Sequence, residues 1–108
     1  MATAASALPL QNTVIIITGA GCGIGKELAR TLASNGAKIV AVDLDAARAK
    51  GAIEGLANCR FAACDPDDEY SRRLLVEETI AKWGRVDAVI DSAALICAGP
   101  LDSIDAAA

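Results

Sequence analysis

Between Thr18 and Gly25 the chain reads TGAGCGIG, a glycine-dense run that follows the apolar stretch Val14, Ile15, Ile16, Ile17 and precedes an amphipathic helix pattern. A strand that passes into a helix through such a turn aims several free backbone N–H groups, and the positive end of the helix dipole, at one place where an anion can bind. The chemistry on offer is recognition of a pyrophosphate. The alternative is that the glycines only let a strand meet a helix. A carboxylate extends the pattern: Lys38 to Asp43, KIVAVD, reads as a short buried strand that ends in an acid 18 residues past Gly25. That is near the offset at which an acidic residue accepts hydrogen bonds from the ribose hydroxyls of an adenosine. Asp43 is the predicted ribose ligand, and the competing role is to cap the following helix together with Asp45.

The spacing of Gly19, Gly21, Gly23 and Gly25 departs from the common dinucleotide fingerprint G-x-G-x-x-G and gives T-G-x-x-x-G-x-G instead. With Thr18 in front and Ile24 between the last two glycines, it resembles the cofactor loop of the short-chain dehydrogenase/reductase family. The resemblance implies that Thr18, Gly19, Gly21, Cys22, Gly23, Ile24 and Gly25 bind a nicotinamide dinucleotide. Members that prefer NADP carry a basic residue just before the middle glycine of the loop or just after the second strand, where this chain has Cys22 and Leu44. Asp43 would repel the additional phosphate, so the expected cofactor is NAD. Cys64 and Asp65 resemble the end of the third strand in that family, where an acidic residue hydrogen-bonds the adenine amino group; Asp65 could also cap a helix, since Pro66, Asp67, Asp68 and Glu69 make a typical first turn. Asp91, Ser92, Ala93 and Ala94 stand where the family has N-N-A-G, a segment whose backbone lines the adenosine pocket and whose first Asn braces the sheet. Only Ala93 is kept; an ionised Asp91 cannot donate from its side chain, and Ala94 adds a methyl group.

The elements that must position these residues alternate along the chain. Ile24, Leu28, Ala29, Leu32 and Ala33 form the apolar stripe of a first helix that Asn35-Gly36 ends. An alanine-rich second helix is predicted over 45–56, weakened by Gly51 and Gly55. Arg60 to Cys64 reads as the third strand. A third helix is predicted over 67–83, with Tyr70, Leu74, Ile80 and Trp83 as inward candidates and Gly84 as its stop, and Val86 to Ile90 reads as the fourth strand. This alternation predicts an α/β fold, a Rossmann-like doubly wound parallel sheet in the order 3-2-1-4, truncated relative to the family. All the residues singled out fall at the carboxyl ends of the strands, where ligands bind in such folds.

The resemblance runs from Thr13 to about Ile104, whereas family members run to well over twice 108 residues. Their proton-transfer groups, a Ser and a Y-x-x-x-K pair, lie in the other half. No Y-x-x-x-K occurs here, and Tyr70 is the sole tyrosine. No catalytic residue is therefore assigned. The expected organisation is a flexible, alanine-rich segment over 1–12 and a partial NAD-binding domain over 13–108.

A net charge of −4 without a basic cluster excludes nucleic acid as an expected partner. No segment reaches the roughly 18 apolar residues of a membrane span, and the first dozen residues lack a signal-peptide pattern. The expectation is a cytoplasmic domain. Cys22, Cys59, Cys64 and Cys97 form no C-x-x-C, and with no histidine in the chain no metal site is expected. Cys22 is read as a small residue filling a turn. Three functions fit: the NAD-binding half of an oxidoreductase, which the sequence favours, a non-catalytic NAD-binding or regulatory module, and an inactive remnant. An unpaired edge at the fourth strand would lead to a homo-oligomer or to capture of a complementary chain.

Overall fold

A computed structural model describes residues 10–92. In chain order they form β1 (Val14–Thr18), α1 (Gly23–Ser34), β2 (Lys38–Asp43), α2 (Ala46–Ala52), β3 (Cys59–Ala63), α3 (Glu69–Trp83) and β4 (Ala88–Asp91). The four strands make one parallel sheet in the order β3-β2-β1-β4. This is the Rossmann-like topology expected from the alternation of elements.

β1 occupies the interior because its side chains are apolar on both faces. Val14, Ile15, Ile16 and Ile17 are each at most 4% exposed, and burying each contributes about 1.5–3 kcal/mol. Successive residues of a strand face opposite sides. Ile15 and Ile17 accordingly pack with Ala29, Ile39, Ala41, Ala52 and Ile53 on the α1 and α2 side, while Ile16 packs with Val40, Val42, Cys64 and Leu75 on the α3 side. Leu10 to Asn12, which the sequence assigns to the N-terminal segment, form a turn: Thr13 N–H donates to Leu10 O and Asn12 N–H to Gly36 O, and Leu10 packs against the first of these clusters.

Several local expectations are corrected. α2 stops at Ala52 instead of running to Leu56, its last turn closed by the Ile53 N–H on Lys50 O. α3 starts at Glu69 because Asp68, not the Asp65-Pro66 pair, caps it. Its inward face is also different. With 3.6 residues per turn, Leu75, Val76, Thr79 and Trp83 share one side and Tyr70 and Leu74 lie away from it; Leu75 and Thr79 are buried, whereas Tyr70, Leu74 and Ile80 are exposed. Thr79 fits this apolar contact because its hydroxyl donates to Leu75 O at 2.8 Å. Ile24, expected in the α1 stripe, is 56% exposed, whereas Leu28, Ala29 and Leu32 of that stripe pack in the α1/α2-side cluster. Asn35-Gly36 and Gly84 end their helices as expected.

β4 begins at Ala88, two residues later than the sequence pattern suggests, because Asp87 is used to moor it. The Asp87 N–H donates to Val14 O, and its carboxylate accepts from Val14 N–H, both at 2.8 Å. Among the described residues no strand pairs with the other edge of β4. Val89 is the register partner of Ile16, yet it is 59% exposed. α3 thus covers β1 and β2 and leaves that face of β4 open.

The Arg85 guanidinium, hydrogen-bonded to Asp87 at 2.6 Å, together with the Val14 N–H, holds the Asp87 carboxyl below the usual aspartate range. A depressed folded-state value stabilises the fold above the unfolded aspartate value, near pH 3.9, and the gain is lost as the pH falls through the folded value. Asp87→Ala is therefore expected to lower the urea midpoint at pH 7, and the gap to the parent chain should narrow steadily below about pH 4. A gap that stays constant between pH 7 and pH 3 would contradict this mooring role.

Candidate functional site

The parallel register brings the ends of the strands into line: Thr18 of β1 is opposite Val42 of β2 and Asp91 of β4, and Asp43 is opposite Ala63 of β3. The loop from Gly19 to Cys22 leaves β1 at this end and delivers the chain to α1. Gly19 and Gly23 take φ values of 68° and 60°. The Ala20 N–H, which donates to Val42 O at 2.9 Å, ties the loop to β2.

The start of α1 differs chemically from the starts of the other two helices. Asp45 caps α2 by accepting from Ala47 and Arg48 N–H, and Asp68 caps α3 by accepting from Tyr70 N–H. Ser71 also donates its hydroxyl to Asp68 and is the main reason that its carboxyl is held below the usual range. Cys22, at the corresponding place of α1, makes no side-chain cap, and the first turn carries no acidic residue. A side-chain cap there would contribute about 1 kcal/mol. The N–H groups of Gly23, Ile24 and Gly25, which have no partner within the helix itself, are thus directed together with the helix dipole at the ends of the strands. Such an arrangement can bind an anion.

Two glycines are required by close approach. A Cβ on Gly25 would collide with the Gly19 carbonyl oxygen and the Ser92 hydroxyl, and one on Gly21 would come within 2.5 Å of both Arg48 Cβ and Asp43 Oδ2. Gly25 lets α1 pack against the end of the sheet, and Gly21 lets the loop touch β2 and α2.

Asp43 is the hinge pin of the site. One carboxylate oxygen accepts from Gly21 N–H at 3.0 Å, and the other accepts from Asp45 N–H at 3.1 Å. It does not bond a helical N–H, so Asp45 alone caps α2. Leu44, beside it, is 71% exposed. Asp65 is also exposed and accepts from Asp67 N–H at 2.9 Å, a turn that precedes the capped helix. Cys64 points the other way: its side chain packs with Val42 and Leu75, and burial, followed by the charges of Asp65 and Asp68, pushes its thiol up. Only its backbone faces the site, through the Cys64 N–H bond to Asp43 O.

On the β4 side Thr18 donates its hydroxyl to Asp91 at 2.8 Å. Ser92, fully buried, donates both its N–H and its hydroxyl to Thr18 O. Asp91 therefore braces β1 against β4 with the acceptor that an Asn would also supply. Ala93 and Ala94 lie outside the described residues. The sequence pattern does not single out Arg48, which the fold brings against Gly21 and Asp43. The available signal was its place three residues after Asp45, in the first turn of α2. Among the described residues no cluster of His, Cys, Asp or Glu could hold a metal ion, and no helix is long and apolar enough to cross a membrane.

A family model described as short chain dehydrogenase matches residues 13–108. The chain belongs to that family. Relatives of this short chain dehydrogenase chain include an L-fucose dehydrogenase of Bos taurus, 39% identical over 80 residues that cover 74% of this chain and 30% of that protein. A 7alpha-hydroxysteroid dehydrogenase of Escherichia coli is 40% identical over 90 residues, 80% of this chain and 35% of that one. Among solved structures, a hydroxysteroid dehydrogenase from Escherichia coli superposes with a TM-score of 0.72 at 35% identity, covering 76% of this chain and 37% of that one. A 3-ketoacyl-(acyl-carrier-protein) reductase from Brucella melitensis, solved in complex with NADH, gives 0.70 at 37% identity over 74% of this chain and 33% of that one. The chain thus spans about a third of the length of the relatives it matches.

The packing at Gly25 has a measurable consequence. Gly25→Ala is expected to destabilise the chain by about 1–3 kcal/mol, the usual cost of overpacking, because the carbonyl it meets is backbone. Gly51→Ala, in α2 with open space around it, should instead stabilise by up to about 1 kcal/mol. Urea unfolding of the two variants, compared with the parent, checks both signs.

Proposed function

We propose that the carboxyl ends of the four strands bind the adenosine and pyrophosphate portions of NAD, and that the chain is the nucleotide-binding portion of a short chain dehydrogenase. The observation that carries this is the uncapped start of α1, with no acid in its first turn, set beside a carboxylate that is pinned at the end of β2. The donor set fits the group: Gly23, Ile24 and Gly25 N–H groups for phosphate oxygens, and Asp43 for ribose hydroxyls. Asp43 uses one bond per carboxylate oxygen internally, and each oxygen has a second lone pair for a hydroxyl donor. Exposed Leu44 and Ile24 offer apolar surface at the same end, and Asp65 is the proposed adenine partner. Ser92, Ala93 and Ala94 are proposed to complete the adenosine side. The nicotinamide of such a cofactor supplies hydride exchange with a carbonyl or alcohol. A proton donor must then act on the substrate oxygen, and this chain has no Y-x-x-x-K to provide it. Its one tyrosine, Tyr70, is exposed at the start of α3. We assign no catalytic residue to this chain.

NAD is the preferred form in this reading, because Asp43 puts negative charge where a 2′-phosphate would lie. A like-charge pair about 4 Å apart costs about 1 kcal/mol in water and about 4 kcal/mol near a protein surface. Calorimetric titration should therefore show NAD bound about tenfold or more tightly than NADP, with the preference reversed in Asp43→Ala/Leu44→Arg. Equal affinities in the parent chain would sink the assignment of Asp43.

The edge of β4 with which no described strand pairs, and the exposed Val89 beside it, are proposed to draw in a second copy or a complementary chain. Sedimentation should show association that grows with concentration. A concentration-independent monomer whose Ala88 to Asp91 amides exchange rapidly would refute this.

A further inference from the structure

The close approach at Gly21 brings the base of a cationic side chain to the ribose end of the site. An ideal Cβ on Gly21 would be 2.5 Å from Arg48 Cβ and 2.5 Å from Asp43 Oδ2, so those two atoms are no farther apart than twice that distance. The Arg48 side chain therefore leaves α2 from a Cβ that lies within reach of the carboxylate. It is 64% exposed, and among the described residues its guanidinium has one ionic neighbour, Asp45, at 3.9 Å. No hydrogen bond from the guanidinium to any described residue accompanies that pair, and an exposed ion pair of this length restrains a long side chain weakly. Four bonds of freedom let the guanidinium swing over the Asp43 carboxylate.

In that orientation two opposed charges would border the place where an adenosine 2′-substituent would sit. Asp43 accepts from a ribose hydroxyl and repels a phosphate. A guanidinium does the reverse, since its planar fork donates to phosphate oxygens in pairs. Neither Cys22 nor Leu44, at the positions where NADP-preferring members carry a basic residue, is basic. Resting on the proposed nucleotide site, we propose that Arg48 is a specificity-determining residue: a latent 2′-phosphate ligand that is held in check by Asp43. Nucleotide choice in this chain is then set by the balance of Asp43 against Arg48, and removing the Asp43 charge alone exposes the phosphate preference without any introduced arginine.

The test uses the full chain and four proteins: the parent, Asp43→Asn, Arg48→Gln and the double variant. Asn at position 43 keeps an acceptor for the Gly21 N–H, and circular dichroism and thermal melting establish that each protein is folded. Each is titrated calorimetrically with 5′-AMP and with adenosine 2′,5′-bisphosphate. The expected result is that Asp43→Asn improves the affinity for the bisphosphate relative to 5′-AMP at least tenfold, and that adding Arg48→Gln removes most of that gain. If the double variant keeps the full gain, Arg48 is not the ligand and the proposal fails while the nucleotide site stands. Should no folded protein of the four bind either nucleotide, the nucleotide site itself is wrong and the proposal falls with it.

Discussion

Burial of β1 between two layers is the constraint from which the rest of the molecule follows. Four consecutive β-branched residues, Val14 to Ile17, can be removed from water on both faces only in a strand that has neighbours on either side and helices above and below. β2 and β4 supply the neighbours, and the α1/α2 and α3 layers supply the cover. Parallel pairing in register then aligns the ends of the strands. Thr18, Asp43 and Asp91 meet at one end for that reason, although each is separated from the next by a helix or more of sequence.

At that end the molecule forgoes local stability. α2 and α3 begin with aspartates that satisfy their own first N–H groups, whereas α1 begins at Cys22 and leaves its first turn uncapped. Meanwhile the loop is held by contacts from elsewhere: Ala20 on Val42, Gly21 on Asp43, and Thr18 through its carbonyl and hydroxyl to Ser92 and Asp91. Rigid support from neighbouring strands, combined with an open helix start, is the arrangement suited to an anionic ligand. Glycine at positions 21 and 25 is a matter of space, because each faces atoms of another element at distances no Cβ tolerates.

The third helix illustrates where a pattern can mislead. Tyr70, Leu74 and Ile80 are the conspicuous apolar residues of that segment, and all three are exposed. The sheet selected the face containing Leu75, Val76, Thr79 and Trp83 instead, and it could use a threonine there because the hydroxyl bonds within the helix. α2 begins at its Asp45 cap as expected and is shortened only at its far end, where its last turn closes at Ile53.

The amino-acid sequence by itself determined the order of elements, the parallel sheet and the place of the glycine loop, because these depend on local signals: a buried apolar run, glycines at fixed spacing, an acid at a strand end, and Asn-Gly or Gly stops. The place of Asp43 at the end of β2 was legible for the same reason. Tertiary structure alone decided which side of α3 is inward, that Asp87 moors β4 to β1, that Cys64 turns into the core, and that Arg48 stands against Gly21 and Asp43. Those facts depend on contacts between residues far apart in the chain, such as Gly21 with Arg48 or Val14 with Asp87. No local pattern encodes them, since the distance between two such atoms exists only once the strands have paired and the helices have packed.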